Sequence, residues 1–188
     1  MKRIERCEYG RIRGEKRRNL TGVLCMIAIG VAIFILGLFL NKFDKRNIFT
    51  VVAVLFVLPM ARYLSTLLVM LPYKTPEKAL YEKVKEAIPK GSILFSDYLF
   101  TSSERAMGMS FFVLTGHELV GLAASDKEKT DKITGYLSAE LKKRGIPGKV
   151  VVFREQERFL AELKKIPEAA KTEAEMQEAV EFLRSLAI

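Results

Sequence analysis

The sequence predicts an α+β protein: a two-helix transmembrane hairpin followed by a small cytosolic domain with the element order α-β-β-β-α-β-α-α. Three observations predict it. Residues 20–40, LTGVLCMIAIGVAIFILGLFL, carry no charge, residues 48–71 form a second apolar run, and helix and strand patterns alternate from residue 75 onward. A helix of twenty-one residues is about as long as the roughly 30 Å hydrocarbon core of a bilayer is thick.

Residues 1–19 form a basic arm with eight Lys or Arg against three Glu. Cations beside a bilayer that contains anionic lipids gain about 1 kcal/mol each. We therefore predict that this arm lies in the cytoplasm and contacts membrane lipids or a protein partner. The residues expected to make this contact are Arg13, Lys16, Arg17 and Arg18.

The distribution of charge argues against a nucleic-acid partner. The chain has a formal net charge of +9, but residues 72–188 hold nineteen basic and eighteen acidic side chains. Because the excess lies beside the apolar runs, it is typical of a membrane flank rather than of a nucleic-acid-binding surface.

The same distribution predicts the orientation of the spans. Lys and Arg near span ends favour the cytoplasmic side. The short loop 41–47 holds three basic residues, whereas thirteen lie in the arm and in the twenty residues after the second run. We expect a two-pass protein of the cell membrane, with both termini cytoplasmic and the loop external. A cleaved signal peptide is disfavoured because the first run is long and no A-x-A-like site follows it.

The first span contains Ala28-x-x-x-Ala32, a small-xxx-small pair that lets another helix approach closely. The second span of the same chain is the expected partner, and homodimerisation is the alternative. The second span carries Pro59, which predicts a kink, and Arg62, a charge inside an apolar run. Either Arg62 extends toward the cytoplasmic headgroups, or a short span ends there and residues 63–71 lie on the membrane surface.

The cytosolic domain is predicted over residues 75–188. A helix capped by Thr75 runs to about Ile88, followed by strands at 92–100, 109–114 and 118–124. A helix at 127–144, a strand at 149–153 and two amphipathic helices at 155–166 and 172–187 complete it. A three-stranded antiparallel meander with a fourth strand delivered by a helical crossover accounts for this order.

The element order over residues 75–153 resembles the core of the restriction-endonuclease-like superfamily. That family typically has an acidic residue near its second core strand and a D/E-x-K triplet in the third. Here the third strand reads Glu118-Leu119-Val120, without the lysine, and Asp97 is a lone carboxylate in the first strand. The resemblance therefore implies at most an inactive relative. A divergent membrane-bound nuclease-like enzyme that uses Asp97 and Glu118 is the alternative hypothesis.

Other chemical signatures are weak. Cys7 and Cys25 form neither a disulfide framework nor a CxxC pair, and His117 falls at a predicted turn. We therefore expect no catalytic, cofactor-binding or metal-binding residues, and a function in interaction or sensing with an unidentified protein partner. The alternatives are a membrane-bound restriction-endonuclease-like enzyme and an accessory subunit of a larger membrane complex that uses Arg62.

Overall fold

The computed structural model describes residues 7–40, 48–101, 106–116, 118–146, 148–166 and 173–187. The predicted loop 41–47 and His117 lie outside these residues. The chain divides into two compact units: residues 12–72 form one, and residues 1–11 together with 73–188 form the other. The mixed α+β class and the presence of two long apolar helical stretches are confirmed.

The first unit contains the two apolar stretches. Helix α1 spans Arg11–Leu40, helix α2 spans Ile48–Leu55 and helix α3 spans Val57–Met70. Helix α1 thus begins nine residues before the first predicted span, because the basic segment of the arm is also helical. By length and composition, α1 and the combined α2–α3 stretch could each cross a membrane.

Pro59 explains the break between α2 and α3. A proline lacks the amide that would donate to the carbonyl four residues earlier, and its ring collides with that carbonyl. The carbonyl in question belongs to Leu55, the last residue of α2. At this break the Phe56 amide donates to the carbonyl oxygen of Ala53, three residues earlier, which makes a turn tighter than that of an α-helix. The chain then continues as an uninterrupted helix through Arg62.

The second unit is an α+β domain. Its elements follow the order α4 (Lys78–Ala87), β1 (Ile93–Thr101), β2 (Ala106–Thr115), β3 (Glu118–Ala123), α5 (Thr130–Lys143), β4 (Lys149–Phe153), α6 (Gln156–Leu163) and α7 (Glu173–Leu186). The sheet order is β1-β2-β3-β4: the first two pairings are antiparallel, and β3 pairs with β4 in parallel through the α5 crossover.

Helix α4 starts later than the sequence predicts. The expected N-cap was Thr75, but α4 begins at Lys78 after Glu77, which makes no side-chain cap hydrogen bond. The Thr75 hydroxyl instead donates to Oδ2 of Asp97, at 2.9 Å. A tertiary acceptor therefore replaces the local helix cap.

The two faces of the sheet carry separate apolar layers. One layer includes Phe95, Tyr98, Met109, Phe112, Leu119, Leu137 and Leu183. The opposite layer includes Val84, Phe111, Val113, Val120, Leu122, Phe159 and Leu163. Helices α5 and α7 contribute to the first layer, and α4 and α6 to the second, so helices cover both faces.

The strands β1 and β2 break their side-chain alternation at the same level. Phe95 and Tyr98 belong to one layer although they are three residues apart, and Met109 and Phe112 do the same in β2. Such spacing marks an extra residue in each strand. Asp97 is that residue in β1, and it adopts a φ of 51°. Because each strand has one extra residue at the same level, β1 and β2 stay in register before and after Asp97: Ser96 pairs with Phe111, and Tyr98 pairs with Met109.

Cys7 and Ala187, near the two ends of the described chain, both lie along the outer edge of β1. The Ser96 amide donates to the Cys7 carbonyl oxygen at 2.9 Å, and Phe100 forms an isolated antiparallel bridge with Ala187. An uncovered edge strand invites pairing with other chains. These two segments therefore protect part of the edge.

Candidate functional site

The packing of α1 against α3 sets the position of the charged residues in the hairpin. A Cβ atom built on Gly22 would lie 2.9 Å from Cδ1 of Tyr63, so the tyrosine ring packs directly on this glycine. The Lys16 ammonium donates to the Leu71 carbonyl oxygen at 2.8 Å, at the carboxyl end of α3. The two helices therefore run antiparallel, with Tyr63 beside Gly22 and Leu71 beside the basic segment of α1.

This register brings Arg62 close to the charged end of the hairpin. Arg62 precedes Tyr63 and so lies level with Val23, three residues after Leu20, the first residue of the apolar run. Three residues of helix rise correspond to about 4.5 Å. In sequence Arg62 falls well inside its apolar run, but in the folded hairpin it lies about one turn from the start of the apolar run of α1.

The five cations predicted to contact lipid or a partner all lie at this end. Arg13, Arg17 and Arg62 are exposed, and Lys16 is half-buried. Arg18 forms an ion pair with Glu15 at 2.7 Å, with 46% of its own side chain still accessible. Neither Arg17 nor Arg62 forms an ion pair with any residue that the structure describes.

Sequence reasoning did not identify Asn19 or Thr66, which lie beside these cations. Asn19 is 4% exposed, and its Nδ2 atom has no hydrogen-bond partner among the described residues. Thr66 donates its hydroxyl to the Arg62 carbonyl at 3.1 Å. The signal available in the sequence was an amide side chain directly before the apolar run.

The predicted helix-contact pair Ala28 and Ala32 does not form the interface between α1 and the second stretch. Both residues are exposed, whereas Gly22 packs closely on the Tyr63 ring, and a Cβ atom built on Gly30 would be in ordinary van der Waals contact with Ala53 and Phe56. The expectation that this alanine pair packs on the second span was therefore wrong. A glycine tolerates a closer neighbour than alanine does, so the contact runs along the glycine face of α1.

The segment that precedes α1 is built into the α+β domain. Cys7 is 5% exposed and belongs to the apolar layer that contains Phe95. The Tyr9 ring packs on the Tyr81 ring with centroids 4.5 Å apart, and its hydroxyl donates to the Pro76 carbonyl at 3.0 Å. We call residues 7–10 the arm clasp. Its burial of Cys7 leaves little access for lipid modification of this thiol.

Asp97 follows Ser96, the strand residue that hydrogen-bonds to the arm clasp, and is fully buried. It accepts the hydrogen bond of Thr75, in the segment that leads from the hairpin into the domain. Its left-handed backbone conformation is uncommon for a residue other than glycine, although aspartate tolerates it better than most. These features make Asp97 a structural residue that joins β1 to the incoming chain.

Glu118 does not approach Asp97. Asp97 lies between the pairs Ser96–Phe111 and Tyr98–Met109, while Glu118 pairs with Thr115. The two carboxylates are thus separated by roughly 15 Å along the strands and by two strand spacings across the sheet. They cannot share one metal ion, so the geometry removes the basis for the nuclease-like hypothesis. Across the described ranges, no group of three or more His, Cys, Asp or Glu side chains could hold a metal ion.

A shallow cavity of about 490 Å³ lies between the end of α5 and the start of β4. It is lined by Ser138, Lys142, Gly145, Ile146 and Gly148. Its polar groups do not form a catalytic arrangement. No known protein family, no curated protein and no solved structure matches the chain.

Proposed function

We propose that the chain is a two-pass integral membrane protein whose cytoplasmic α+β domain is an interaction or sensing module. The transmembrane hairpin comprises α1 and the α2–α3 stretch, and membrane lipids and a protein partner are its binding partners. The proposal includes no catalytic role.

The surface of the hairpin is the observation that carries membrane insertion. Within the described part of the chain, every exposed large hydrophobic side chain lies between Leu20 and Leu71. The core helix of a water-soluble protein would bury such residues, so their exposure supports an apolar solvent around these helices. The hydroxyls of Thr21, Ser65 and Thr66 donate to carbonyls one turn earlier, which suits a low-dielectric environment.

The arm clasp supports a hairpin with both ends on one side. Residues 7–10 precede α1, and residues 73–188 follow α3, yet they belong to one compact unit. If α1 crosses the bilayer, the second stretch must return the chain to the same side. The excess of Lys and Arg at these ends favours the cytoplasmic side.

Short connections between the spans and the domain support sensing. Tyr9 is fixed by its ring and hydroxyl contacts two residues before α1 starts. Tyr73, three residues after α3 ends, is 7% exposed, and its hydroxyl donates to the Ala106 carbonyl at 2.8 Å. Residues anchored in the domain thus lie only two or three positions in sequence from each helix.

Affinity purification of the full chain in mild detergent, followed by mass spectrometry, tests whether the α+β domain has a protein partner. We expect a stoichiometric partner. Loss of an integral membrane partner in Arg62→Leu would favour the accessory-subunit alternative instead. A chain that purifies alone, and whose divalent-metal-dependent hydrolysis of nucleic acid is abolished by Asp97→Asn, would contradict the proposal.

A further inference from the structure

The contact between α1 and α3 has several cationic side chains at its basic end, and their directions follow from the helix geometry. Lys16 and Gly22 both face α3, as their contacts with Leu71 and Tyr63 require. Successive residues of an α-helix are rotated by about 100°. Lys16 and Gly22 are about 120° apart around the helix, and the buried Asn19 lies midway between them, at the middle of the contact face. Arg18 points about 100° away from this middle, and Arg17 points almost directly away from α3.

Arg62 points to the same side of the hairpin as Arg18. It lies about 100° from Tyr63, the residue of α3 that faces α1. In two antiparallel right-handed helices, the rotations of Arg18 and Arg62 from their contact faces carry both side chains to one side. Their levels differ by five residues, or about 7.5 Å along the axis, and the axes of packed helices are about 8–10 Å apart. The flexible stems of the two arginines can span this gap.

Two polar groups lie between these arginines. Thr66 is one turn after Arg62 and on the same side. Asn19 lies on the contact face of α1 at the level of Thr66, and its buried Nδ2 donor lacks a hydrogen-bond partner in the described structure. A buried donor without an acceptor costs free energy, so an acceptor oxygen that entered this groove would remove a penalty.

We propose that the groove lined by Arg18, Asn19, Thr66 and Arg62 binds the phosphate group of an anionic phospholipid. This inference rests on the proposed membrane hairpin. Two guanidinium groups match the geometry and charge of a phosphate, and the amide of Asn19 supplies a further donor after rotation of its side chain. Glu15 forms an ion pair with Arg18 and opposes binding of an anion. The two arginines and Glu15 together still carry a net charge of +1.

The level of the groove agrees with a lipid rather than a soluble ligand. Arg62 is about one turn below the start of the apolar run of α1, and Leu58, one turn before Arg62 on the same side of α3, is 69% exposed. A phospholipid places its acyl chains along such an apolar surface while its phosphate reaches the arginines. Inorganic phosphate offers the same oxygen atoms without the acyl chains.

Native mass spectrometry of the full chain in mild detergent tests this site. The probes are phosphatidylglycerol and phosphatidylcholine at equal concentration, and the readout is the ratio of bound phosphatidylglycerol to bound phosphatidylcholine. We expect a ratio above one, with about a fivefold decrease in Arg62→Leu and in Arg18→Leu, as expected for the loss of one cation near lipid phosphate. Arg62→Lys should retain part of the preference, and Glu15→Gln should increase it.

Arg17→Leu is the matched comparison because it removes the same charge from the same helix turn, but on a face turned away from α3. We expect only the smaller decrease that follows from weaker general attraction to anionic lipid. An equal decrease in Arg17→Leu would overturn the site and indicate general attraction to anionic lipid. Displacement of phosphatidylglycerol by excess inorganic phosphate would also overturn it, in favour of a soluble ligand.

Insertion must be measured in the same preparations so that the two proposals are separated. If the chain inserts with two spans but shows no preference for phosphatidylglycerol, the site is contradicted and the proposed function stands. If the chain remains soluble without detergent or lipid, both are contradicted.

Discussion

The amide of Ser96 donates a hydrogen bond to the carbonyl of Cys7 at 2.9 Å, and this bond attaches the segment before the first apolar helix to the edge strand β1. The sequence separation is large, so the contact closes most of the first half of the chain into a loop. That loop contains the whole hairpin. The arm clasp therefore fixes the segment that precedes α1 to the α+β domain.

The aromatic contact of the arm clasp should contribute measurably to stability. Replacing Tyr9 with Ala removes the packing on Tyr81 and the hydrogen bond to Pro76, and we expect a loss of about 1–3 kcal/mol in the free energy of unfolding. Tyr9→Phe keeps the ring and should lose only about 1 kcal/mol. Chemical denaturation of the full chain in detergent measures both. Equal stability of Tyr9→Ala and the wild type would show that the clasp is not formed.

The effects of substituting Thr75 and Asp97 on the free energy of unfolding should be coupled, because the two side chains share a hydrogen bond. Thr75→Val removes the donor to a buried carboxyl group, and we expect destabilisation of about 1–3 kcal/mol. Asp97→Gly removes the acceptor while relaxing the left-handed backbone. A double-mutant cycle measures the coupling, since the Thr75 substitution should have much less effect when Asp97 is absent. Additive effects of the two substitutions would contradict the contact.

Gly22 should be sensitive to size because its neighbour is the Tyr63 ring. Gly22→Leu should separate α1 from α3 and lower the thermal stability of the full chain in detergent. Tyr63→Ala should partly restore it by making room. Ala28→Leu is the matched control, since Ala28 is exposed. A larger loss of stability for Ala28→Leu than for Gly22→Leu would indicate that the alanine face packs on another helix.

Tyr98 should make the domain less stable at alkaline pH. Burial raises the pKa of its hydroxyl above the ordinary value, and the nearby Cys7 and Tyr136 raise it further. The hydroxyl donates to the Leu183 carbonyl at 2.8 Å, which requires the proton. Because the folded pKa exceeds that of the unfolded chain, the contribution is complete below about pH 10 and decreases as the pH rises above it.

Ultraviolet absorbance of tyrosinate during an alkaline titration measures this effect. One tyrosine should ionise only together with unfolding, and Tyr98→Phe should abolish that step. The same variant loses a buried hydrogen bond and should be about 1 kcal/mol less stable at neutral pH. Ionisation of every tyrosine before unfolding would contradict the burial of Tyr98.

Local patterns predicted much of the fold. The strand β4 occupies Lys149–Phe153, the range predicted from its run of β-branched residues. The kink predicted at Pro59 stays a prediction; α2 and α3 are separated at Phe56, three residues earlier. The start of α4 could not be predicted, since the Thr75 hydroxyl binds Asp97, a residue 22 positions away in the sequence. Local capping rules do not include such tertiary partners.

The candidate site was predicted only in part. Composition identified the basic residues and Arg62, but not their spatial relation, because the helix register depends on which side chains pack. The contact of Gly22 with Tyr63 sets that register and brings Arg62 near Arg18. The arm clasp was also missed, since the charge of the first nineteen residues concealed the packing roles of Cys7 and Tyr9.

Labelling of single cysteines in intact cells tests the central claim most directly. In a chain with Cys7→Ser and Cys25→Ser, one cysteine is introduced either at Asn47, beside the start of α2, or at Asp126, in the domain. A membrane-impermeant maleimide should label Asn47→Cys in intact cells and Asp126→Cys only after lysis. Labelling of Asp126→Cys in intact cells, or protection of Asn47→Cys until lysis, would contradict a hairpin with both ends in the cytoplasm.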